Sequence, residues 1–156
     1  MSDLKTPGIA GVVVKPLRRV DNERGWLLEI QRNDDAEFVG FGQTYVTATR
    51  PGIVKAWYRH RRQVDNMTAL SGLLRVVLFD DRPDSATRGA LMQLIVGHEQ
   101  PTLVQIPCGI WHGFMPVGDA ECLILHLNTH PYDFDHTDED RLPPDSSAIP
   151  YRWHPA

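Results

Sequence analysis

The sequence predicts an all-β domain in which short antiparallel strands close into a barrel. Twelve prolines and twelve glycines interrupt the 156-residue chain at short intervals, and short runs rich in β-branched and aromatic residues lie between them. Many short strands at this spacing are typical of a sandwich or a barrel. A chain of this length is typical of one domain, so we expect residues 1–156 to form a single unit with its own core.

The strands are expected where β-branched and aromatic residues cluster between these interruptions. In chain order they are Ile9–Lys15, Gly25–Gln31, Gln43–Thr49, Ile53–His60, Met67–Leu70, Leu73–Asp80, Ala90–Val96, Thr102–Ile106 and Glu121–Asn128. The segment Asn33–Val39 predicts one short helix, because acidic residues stabilise the first turn of a helix.

The last part of the chain, residues 129–156, is polar and rich in proline. It nevertheless contains Ile149, Tyr151 and Trp153. Because burial of large apolar side chains lowers the free energy of the folded protein, we expect this tail to pack back onto the barrel.

Composition argues against several classes of protein. A formal net charge of −4 disfavours a general nucleic-acid binder. The sequence has neither an apolar run long enough to span a membrane nor the pattern of a signal peptide. Cys108 and Cys122 match no zinc motif and are expected to be reduced, buried apolar residues. These features predict a cytoplasmic protein without nucleic-acid or membrane partners.

Strand alternation identifies the polar residues that point into the barrel, because successive side chains point to opposite faces. Tyr58 and His60 share one face of their strand, whereas Lys55 and Trp57 fall on the other. On the last predicted strand, His126 lies on the same face as buried-type residues such as Ile124.

A first motif runs from Gly52 to Gly72. Gly52 is followed by five residues, Tyr58, one residue, His60, four residues, Asp65, six residues and Gly72. This spacing resembles the first motif of the cupin superfamily, with Tyr58 in place of a His and Asp65 in place of a Glu.

A second motif, Pro107–His112 (PCGIWH), resembles the P-x-G-x-x-H core of the second cupin motif. In a cupin the two motifs lie on antiparallel strands that direct their side chains at one point. The resemblance therefore implies a jelly-roll β-barrel with His60 and His112 close together.

Longer segments resemble the dTDP-4-dehydrorhamnose 3,5-epimerase family, a branch of the cupins. They are Asp21–Glu29 (DNERGWLLE), Gln43, Gly52–Tyr58 (GIVKAWY), Asp80–Gly89 (DDRPDSATRG) and Ile106–Phe114 (IPCGIWHGF). The resemblance implies a homodimer that exchanges its N-terminal strand, no cofactor, and a nucleoside-diphosphate 4-keto-6-deoxy sugar as the substrate.

The same resemblance implies residues that bind the substrate. Arg24 and Lys55 match family positions that contact the pyrophosphate or the sugar, and Glu29 and Gln43 match positions near the nucleotide. Arg and Lys suit such a ligand, because phosphate oxygens accept charge-assisted hydrogen bonds.

The catalytic positions of the family are changed in this chain. The family's reaction removes a proton beside a ketone and returns it on the other face, which requires a base, an acid and stabilisation of the enolate. Where the family has a His, a Tyr and a Lys, this chain has Tyr58, Ile124 and Asp65. The family's Asp falls near Asp145 or Ser146.

Tyrosine is a poor ground-state base at neutral pH, because its ordinary pKa is about 10. We therefore predict that His60, His112 and His126 carry the acid–base work, since histidine titrates in the physiological range. Tyr58 is predicted to donate a proton or to bind a sugar hydroxyl.

Three functional hypotheses stay open. The leading one is an isomerase that epimerises a nucleotide-linked deoxy sugar by a metal-free acid–base route. The second is a metal-dependent cupin enzyme, in which His60, His112 and Asp65 form a two-His, one-carboxylate set for Fe(II), Mn or Ni. The third is a non-catalytic sugar-nucleotide-binding cupin.

Overall fold

The computed structural model describes residues 8–154, which form twelve β-strands and no helix. The strands are β1 Val13–Pro16, β2 Arg19–Asn22, β3 Gly25–Leu28, β4 Gln43–Thr49, β5 Lys55–His60, β6 Asp65–Ser71, β7 Leu73–Asp80, β8 Leu91–Gly97, β9 Thr102–Ile106, β10 Ile110–Val117, β11 Cys122–Asn128 and β12 Glu139–Arg141. This part of the chain accordingly has no helix that could cross a membrane.

Antiparallel pairing joins the strands into two five-stranded sheets and one hairpin. The first sheet has the order β1-β9-β6-β11-β4, the second has the order β12-β5-β10-β7-β8, and β2 pairs with β3 alone. The predicted all-β fold is confirmed.

The main core lies between the two sheets. Met67 of β6 and Ile124 of β11 come from the first sheet, and Leu78 of β7 and Phe114 of β10 come from the second. Because alternate residues of a strand point to opposite faces, each sheet presents one apolar face to the other. The residues of β11 show this alternation directly, since Ile124 and His126 are buried and Leu123 is exposed.

A second apolar cluster covers the outer face of the second sheet. Trp57 of β5 is fully buried there beside Ile149, and its ring lies 5.1 Å from the ring of Trp153 and 6.1 Å from that of Tyr151. The indole Nε1 of Trp57 donates a hydrogen bond to the carbonyl of Pro144. The C-terminal segment therefore lies against the strand that carries Tyr58 and His60 on its other side.

The predicted helix at Asn33–Val39 is wrong, because this segment forms turns. Its acidic side chains are held by cations outside a helix: Asp34 pairs with Arg32 at 2.6 Å, and Asp35 pairs with Lys15 of β1 at 2.6 Å. Asp35 also accepts a hydrogen bond from the backbone N–H of Arg32. Since a short helix depends on packing of an apolar face, these polar contacts favour turns instead.

Three strands were not predicted, namely β2, β10 and β12. Strand β10 contains Gly113 and Pro116, both of which are unfavourable in strands. Gly113 is required by close packing, because a Cβ at this position would collide with the Cβ of Ala56.

The two cysteines differ in their surroundings. Both are free thiols, and Cys122 is fully buried as expected. The prediction of a buried Cys108 is wrong, because Cys108 is half-buried at a loop, where its thiol lies 3.4 Å from the carbonyl of Gln63.

Candidate functional site

Three polar side chains from three strands meet at one end of the main core. Asp65 begins β6, His60 ends β5 and His112 lies on β10. One carboxylate oxygen, Asp65 Oδ2, is 3.0 Å from His112 Nε2 and 3.2 Å from His60 Nε2. Asp65 and His112 are buried, and 12% of the His60 side chain is exposed. We call these three residues the His–Asp–His cluster.

Each member of the cluster has a further polar partner. His112 Nδ1 lies 3.1 Å from the carbonyl oxygen of Ile110, and His60 Nε2 lies 3.5 Å from the amide nitrogen of Gln63. The other oxygen of Asp65 accepts a hydrogen bond of 2.5 Å from the amide of Gln63. These partners fix the orientation of both rings and of the carboxylate.

The cluster sets the charge of its members. Burial alone would raise the pKa of Asp65, but the hydrogen bonds from His112 and His60 outweigh it and hold this pKa well below its usual range. Burial likewise opposes the charged form of His60, whereas its contacts with Asp65 and Glu139 raise the pKa of His60 above its ordinary value. The site therefore contains a carboxylate and at least one readily protonated imidazole.

His126 lies on β11, across the core from β10, in a less polar setting. Its Nε2 is 3.0 Å from the hydroxyl of Thr47, and its ring stacks on Tyr45 with the centroids 4.6 Å apart. The ring of Phe114 lies on another side at 6.2 Å.

Burial lowers the pKa of His126 to about 4. Asp65 opposes this shift, whereas His112 and Lys55 add to it. The ring is therefore neutral at neutral pH and serves as a hydrogen-bonding group or a weak base.

Tyr58 is half-buried, and burial raises its pKa above the ordinary value. The guanidinium of Arg141 lies 5.6 Å from the ring centroid and opposes this shift, and Glu139 adds to it. The phenol consequently keeps its proton at neutral pH and can donate it.

A cavity of about 280 Å³ unites these side chains. It is lined by Tyr45, Thr47, Lys55, Tyr58, His60, Asp65, His112, Phe114, His126 and Glu139. All four residues predicted to be catalytic therefore border one cavity. A neighbouring cavity of about 320 Å³ shares Tyr45, His60 and Glu139 with it and is also lined by Gln43 and Tyr132.

Lys55 lines the cavity although simple alternation places it opposite Tyr58. The pairing of β5 with β10 explains this: Tyr58 lies opposite His112 and Lys55 lies opposite Phe114, so β5 has one extra residue in the interval. Such a β-bulge reverses the alternation of side chains. The Lys55 ammonium donates a hydrogen bond of 2.9 Å to the carbonyl of Ala48.

The other predicted binding residues divide into two groups. Gln43 lines the neighbouring cavity, where its side-chain oxygen accepts a hydrogen bond from the backbone N–H of Tyr132. Arg24 and Glu29 lie away from the cavity of their own chain: 85% of the Arg24 side chain is exposed in the β2–β3 turn, and Glu29 pairs with Arg32 at 3.2 Å.

Two of the aligned family positions play no part in the cavity. Ile124 is fully buried in the main core, and Asp145 is exposed in the C-terminal segment.

One cavity residue, Glu139, and its neighbour Arg141 were missed because strand β12 was missed. Its pairing with β5 places Glu139 beside His60 and Arg141 beside Tyr58, and their side chains form an ion pair with each other. The segment consists only of charged residues (EDR), so neither alternation nor β-branched residues marked it as a strand.

Comparison with known proteins shows similarity along nearly the whole chain. A family model described as dTDP-4-dehydrorhamnose 3,5-epimerase matches residues 6–156. The probable low-salt glycan biosynthesis epimerase Agl13 of Haloferax volcanii is 37% identical over 150 residues, covering 95% of this chain and 96% of the relative. The spore coat polysaccharide biosynthesis protein SpsL of Bacillus subtilis is 35% identical over 146 residues, covering 94% and 97%.

Solved structures share the fold. The crystal structure of a dTDP sugar isomerase from Desulfovibrio desulfuricans has a TM-score of 0.88 and 32% identity, with 93% of this chain and 92% of that chain covered. ChmJ, a 3'-monoepimerase from Streptomyces bikiniensis in complex with dTDP-quinovose, has a TM-score of 0.83 and 18% identity, with 94% and 77% covered. The fold is therefore the jelly-roll barrel of these epimerases.

Proposed function

Since the chain belongs to the dTDP-4-dehydrorhamnose 3,5-epimerase family, we propose that it is an epimerase of a dTDP-linked 4-keto-6-deoxy sugar. The product would serve the biosynthesis of surface polysaccharide or another glycosylated product. One observation carries this proposal: a single cavity holds the buried His–Asp–His cluster, a protonated phenol and an ammonium group.

The chemistry needs a base near a carbon–hydrogen bond that the neighbouring ketone has made acidic. His60 and His112 supply imidazoles that Asp65 holds in place, and an imidazole positioned beside the substrate can act as the general base. As the proton leaves, negative charge develops on the ketone oxygen and requires a cation or a hydrogen-bond donor. Lys55 and the phenol of Tyr58 supply these groups in our proposal.

Return of the proton on the opposite face inverts the carbon. Tyr58 is the proposed donor, because its phenol keeps its proton and borders the same cavity as the cluster. Inversion requires the substrate carbon to lie between this phenol and the imidazole that removes the proton. His126, as a neutral imidazole, would bind a sugar hydroxyl or pass a proton to Tyr58 from solvent.

We further propose a cytoplasmic homodimer that exchanges its N-terminal strand. The β2–β3 hairpin pairs with no other strand of the described chain, and Trp26 and Leu27 on it are more than half exposed. A second subunit would cover these apolar side chains and would receive Arg24 at its own cavity mouth. Two free cysteines suit a reducing compartment.

Deuterium exchange tests the proposed reaction. The protein is incubated with dTDP-4-keto-6-deoxyglucose in deuterated water, and deuterium at C3 and C5 is measured by mass spectrometry. We expect exchange at one or both carbons, and their number gives the number of inverted centres. Exchange should persist in His98→Gln, since His98 is exposed in a loop, and fall in His112→Gln.

Binding of dTDP without any exchange would contradict the epimerase proposal. It would favour the non-catalytic sugar-nucleotide binder instead.

A further inference from the structure

A polar network lies on the outer side of the second sheet, directly behind the cavity. Its centre is the half-buried side chain of Arg59 on β5. Because alternate residues of a strand point to opposite faces, Arg59 points outwards while its neighbours Tyr58 and His60 line the cavity. On β10, Trp111 stands in the same relation to His112.

Arg59 connects three elements of the fold. Its Nε and Nη2 atoms donate hydrogen bonds of 3.2 and 3.0 Å to Oδ2 of Asp140 on β12. Its Nη1 atom lies 3.3 Å from both carboxylate oxygens of Asp81, in the loop that follows β7. Its Cζ atom lies 4.3 Å from the centroid of the Trp111 ring, and the indole N–H of Trp111 donates a hydrogen bond of 3.0 Å to Asp81. One side chain therefore joins β12 and this loop to β10.

Strand β12 has few other contacts that could set its position. It has only three residues and pairs with β5 alone. Alternation along it places Asp140 on the outer side with Arg59, and Glu139 on the cavity side beside His60. The position of Asp140 therefore also sets the position of Glu139 in the cavity wall.

The charges of the network make Arg59 its central group. Asp81 and Asp140 bind the same guanidinium, so without it two carboxylates would repel each other at close range. The planar guanidinium binds both carboxylates at once and contacts an aromatic ring, which a lysine ammonium does less well. Arg61 also contacts Asp140, at 3.4 Å, but 61% of its side chain is exposed and solvent screens this pair.

We propose that Arg59 is a positioning residue of the active site, which acts from the outer side of the barrel through Asp140, Asp81 and Trp111. This inference rests on the proposed function and assigns to Arg59 no contact with the substrate. Arg59 fixes β5, β10 and β12 relative to one another, and these strands carry the groups that line the cavity. Misplacement of such groups by about 1 Å can slow a reaction by about a hundredfold.

Deuterium exchange into the substrate tests the proposal. Arg59→Gln removes the charge, and exchange per folded molecule should slow by about tenfold or more at a temperature well below unfolding. The folded fraction is measured by circular dichroism. Arg61→Gln is the matched control, because it removes a neighbouring cation that contacts the same carboxylate from solvent, and it should retain exchange. A full exchange rate in folded Arg59→Gln would overturn the proposal.

A second substitution separates positioning from a general loss of stability. In Arg59→Gln the carboxylates of Asp81 and Asp140 repel each other, so the added change Asp140→Asn should restore exchange by about threefold or more. Independent losses would instead add, and a double variant slower than Arg59→Gln would overturn the proposal. If Arg59→Gln fails to fold, Arg59→Lys takes its place, and an exchange rate equal to that of the parent protein would then overturn it.

Amide hydrogen exchange of β12 separates this proposal from the proposed function. Next to β12, the N–H of Leu142 donates a hydrogen bond of 3.1 Å to the carbonyl of Trp57, and the N–H of Trp57 donates one of 2.8 Å to the carbonyl of Leu142. In Arg59→Gln, the amides of residues 139–142 should exchange about tenfold faster by mass spectrometry, and Asp140→Asn should reduce this change.

Unchanged amide exchange in Arg59→Gln would overturn the positioning role. If the parent protein transfers no deuterium to the substrate, the epimerase proposal fails, and the amide measurement still decides whether Arg59 holds β12 in place.

Discussion

Two histidines that line one cavity have pKa values shifted in opposite directions, although burial lowers both. His60 keeps a raised pKa because Asp65 lies 3.2 Å away. His126 is also buried, yet it faces the Thr47 hydroxyl and the Tyr45 ring, and its pKa falls to about 4. The difference teaches that a neighbouring carboxylate, rather than depth in the barrel, decides the direction in which the pKa of a buried imidazole shifts.

Removal of the Asp65 carboxylate should have the largest effect, because it should abolish the pKa difference between His60 and His126. In Asp65→Asn, His60 loses its ion pair, so its pKa should fall towards that of His126 in an NMR titration. Deuterium exchange should slow by about a hundredfold or more, because acid–base groups contribute rates of that order. Asp84→Asn in an exposed turn is the control. Unchanged exchange in Asp65→Asn would show that the cluster is not catalytic.

Loss of the Tyr58 hydroxyl should have the second largest effect on deuterium exchange. Tyr58→Phe keeps the ring but removes the proposed proton donor, so exchange should slow by about a hundredfold with little change in thermal stability. Tyr132→Phe should retain exchange, because Tyr132 lines the neighbouring cavity and not the one that holds the cluster. A Tyr58→Phe variant with full activity would assign Tyr58 a packing role.

The pH dependence of stability should sharpen the contrast at His126. Because its folded pKa is about 4 and the ordinary value is 6.5, the unfolded chain binds a proton first as the pH falls. Stability is therefore complete above pH 6.5 and is lost between pH 6.5 and pH 4. As the pH falls from 7 to 5, His126 should lower the free energy of unfolding by about 2 kcal/mol.

The His126→Gln variant has no imidazole at this position and so binds no proton there in this pH range. Denaturant unfolding at the two pH values should therefore show a smaller loss in His126→Gln than in the parent protein. Identical losses would contradict the neutral, buried state of His126.

Substitution of Arg141 should have the smallest effect on deuterium exchange. Its guanidinium favours the ionised phenol of Tyr58, so Arg141→Gln should raise the phenol pKa, as measured by ultraviolet absorption. A partly exposed cation–aromatic contact is weak, and exchange should slow by only about threefold. A loss as large as that of Tyr58→Phe would give Arg141 a direct role with the substrate.

The sequence predicted those parts of the site that depend on regular alternation or on a motif. Tyr58 and His60 share a face of β5, and the Pro107–His112 motif places His112 beside them. Alternation placed Lys55 on the face opposite Tyr58, whereas both residues line the cavity. The cause is a bulge of one residue, which depends on strand pairing and leaves no mark in the local sequence.

Strand β12 escaped prediction for a different reason. Glu139 and Arg141 form a strand only because the edge of β5 offers hydrogen bonds to them. The helix predicted at Asn33–Val39 failed in the converse way, since Lys15 and Arg32 hold its acidic residues in turns. Tertiary pairing, rather than local preference, decided both segments.

The position of β12 has a consequence for the evolution of such barrels. It is an edge strand joined to β5 alone, yet it brings Glu139 to the wall of the cavity and Arg141 to the ring of Tyr58. The histidines themselves lie on other strands, namely β5, β10 and β11. Related proteins could therefore differ in this short segment and in the charge that it places beside the substrate. The proton-transfer groups would stay unchanged.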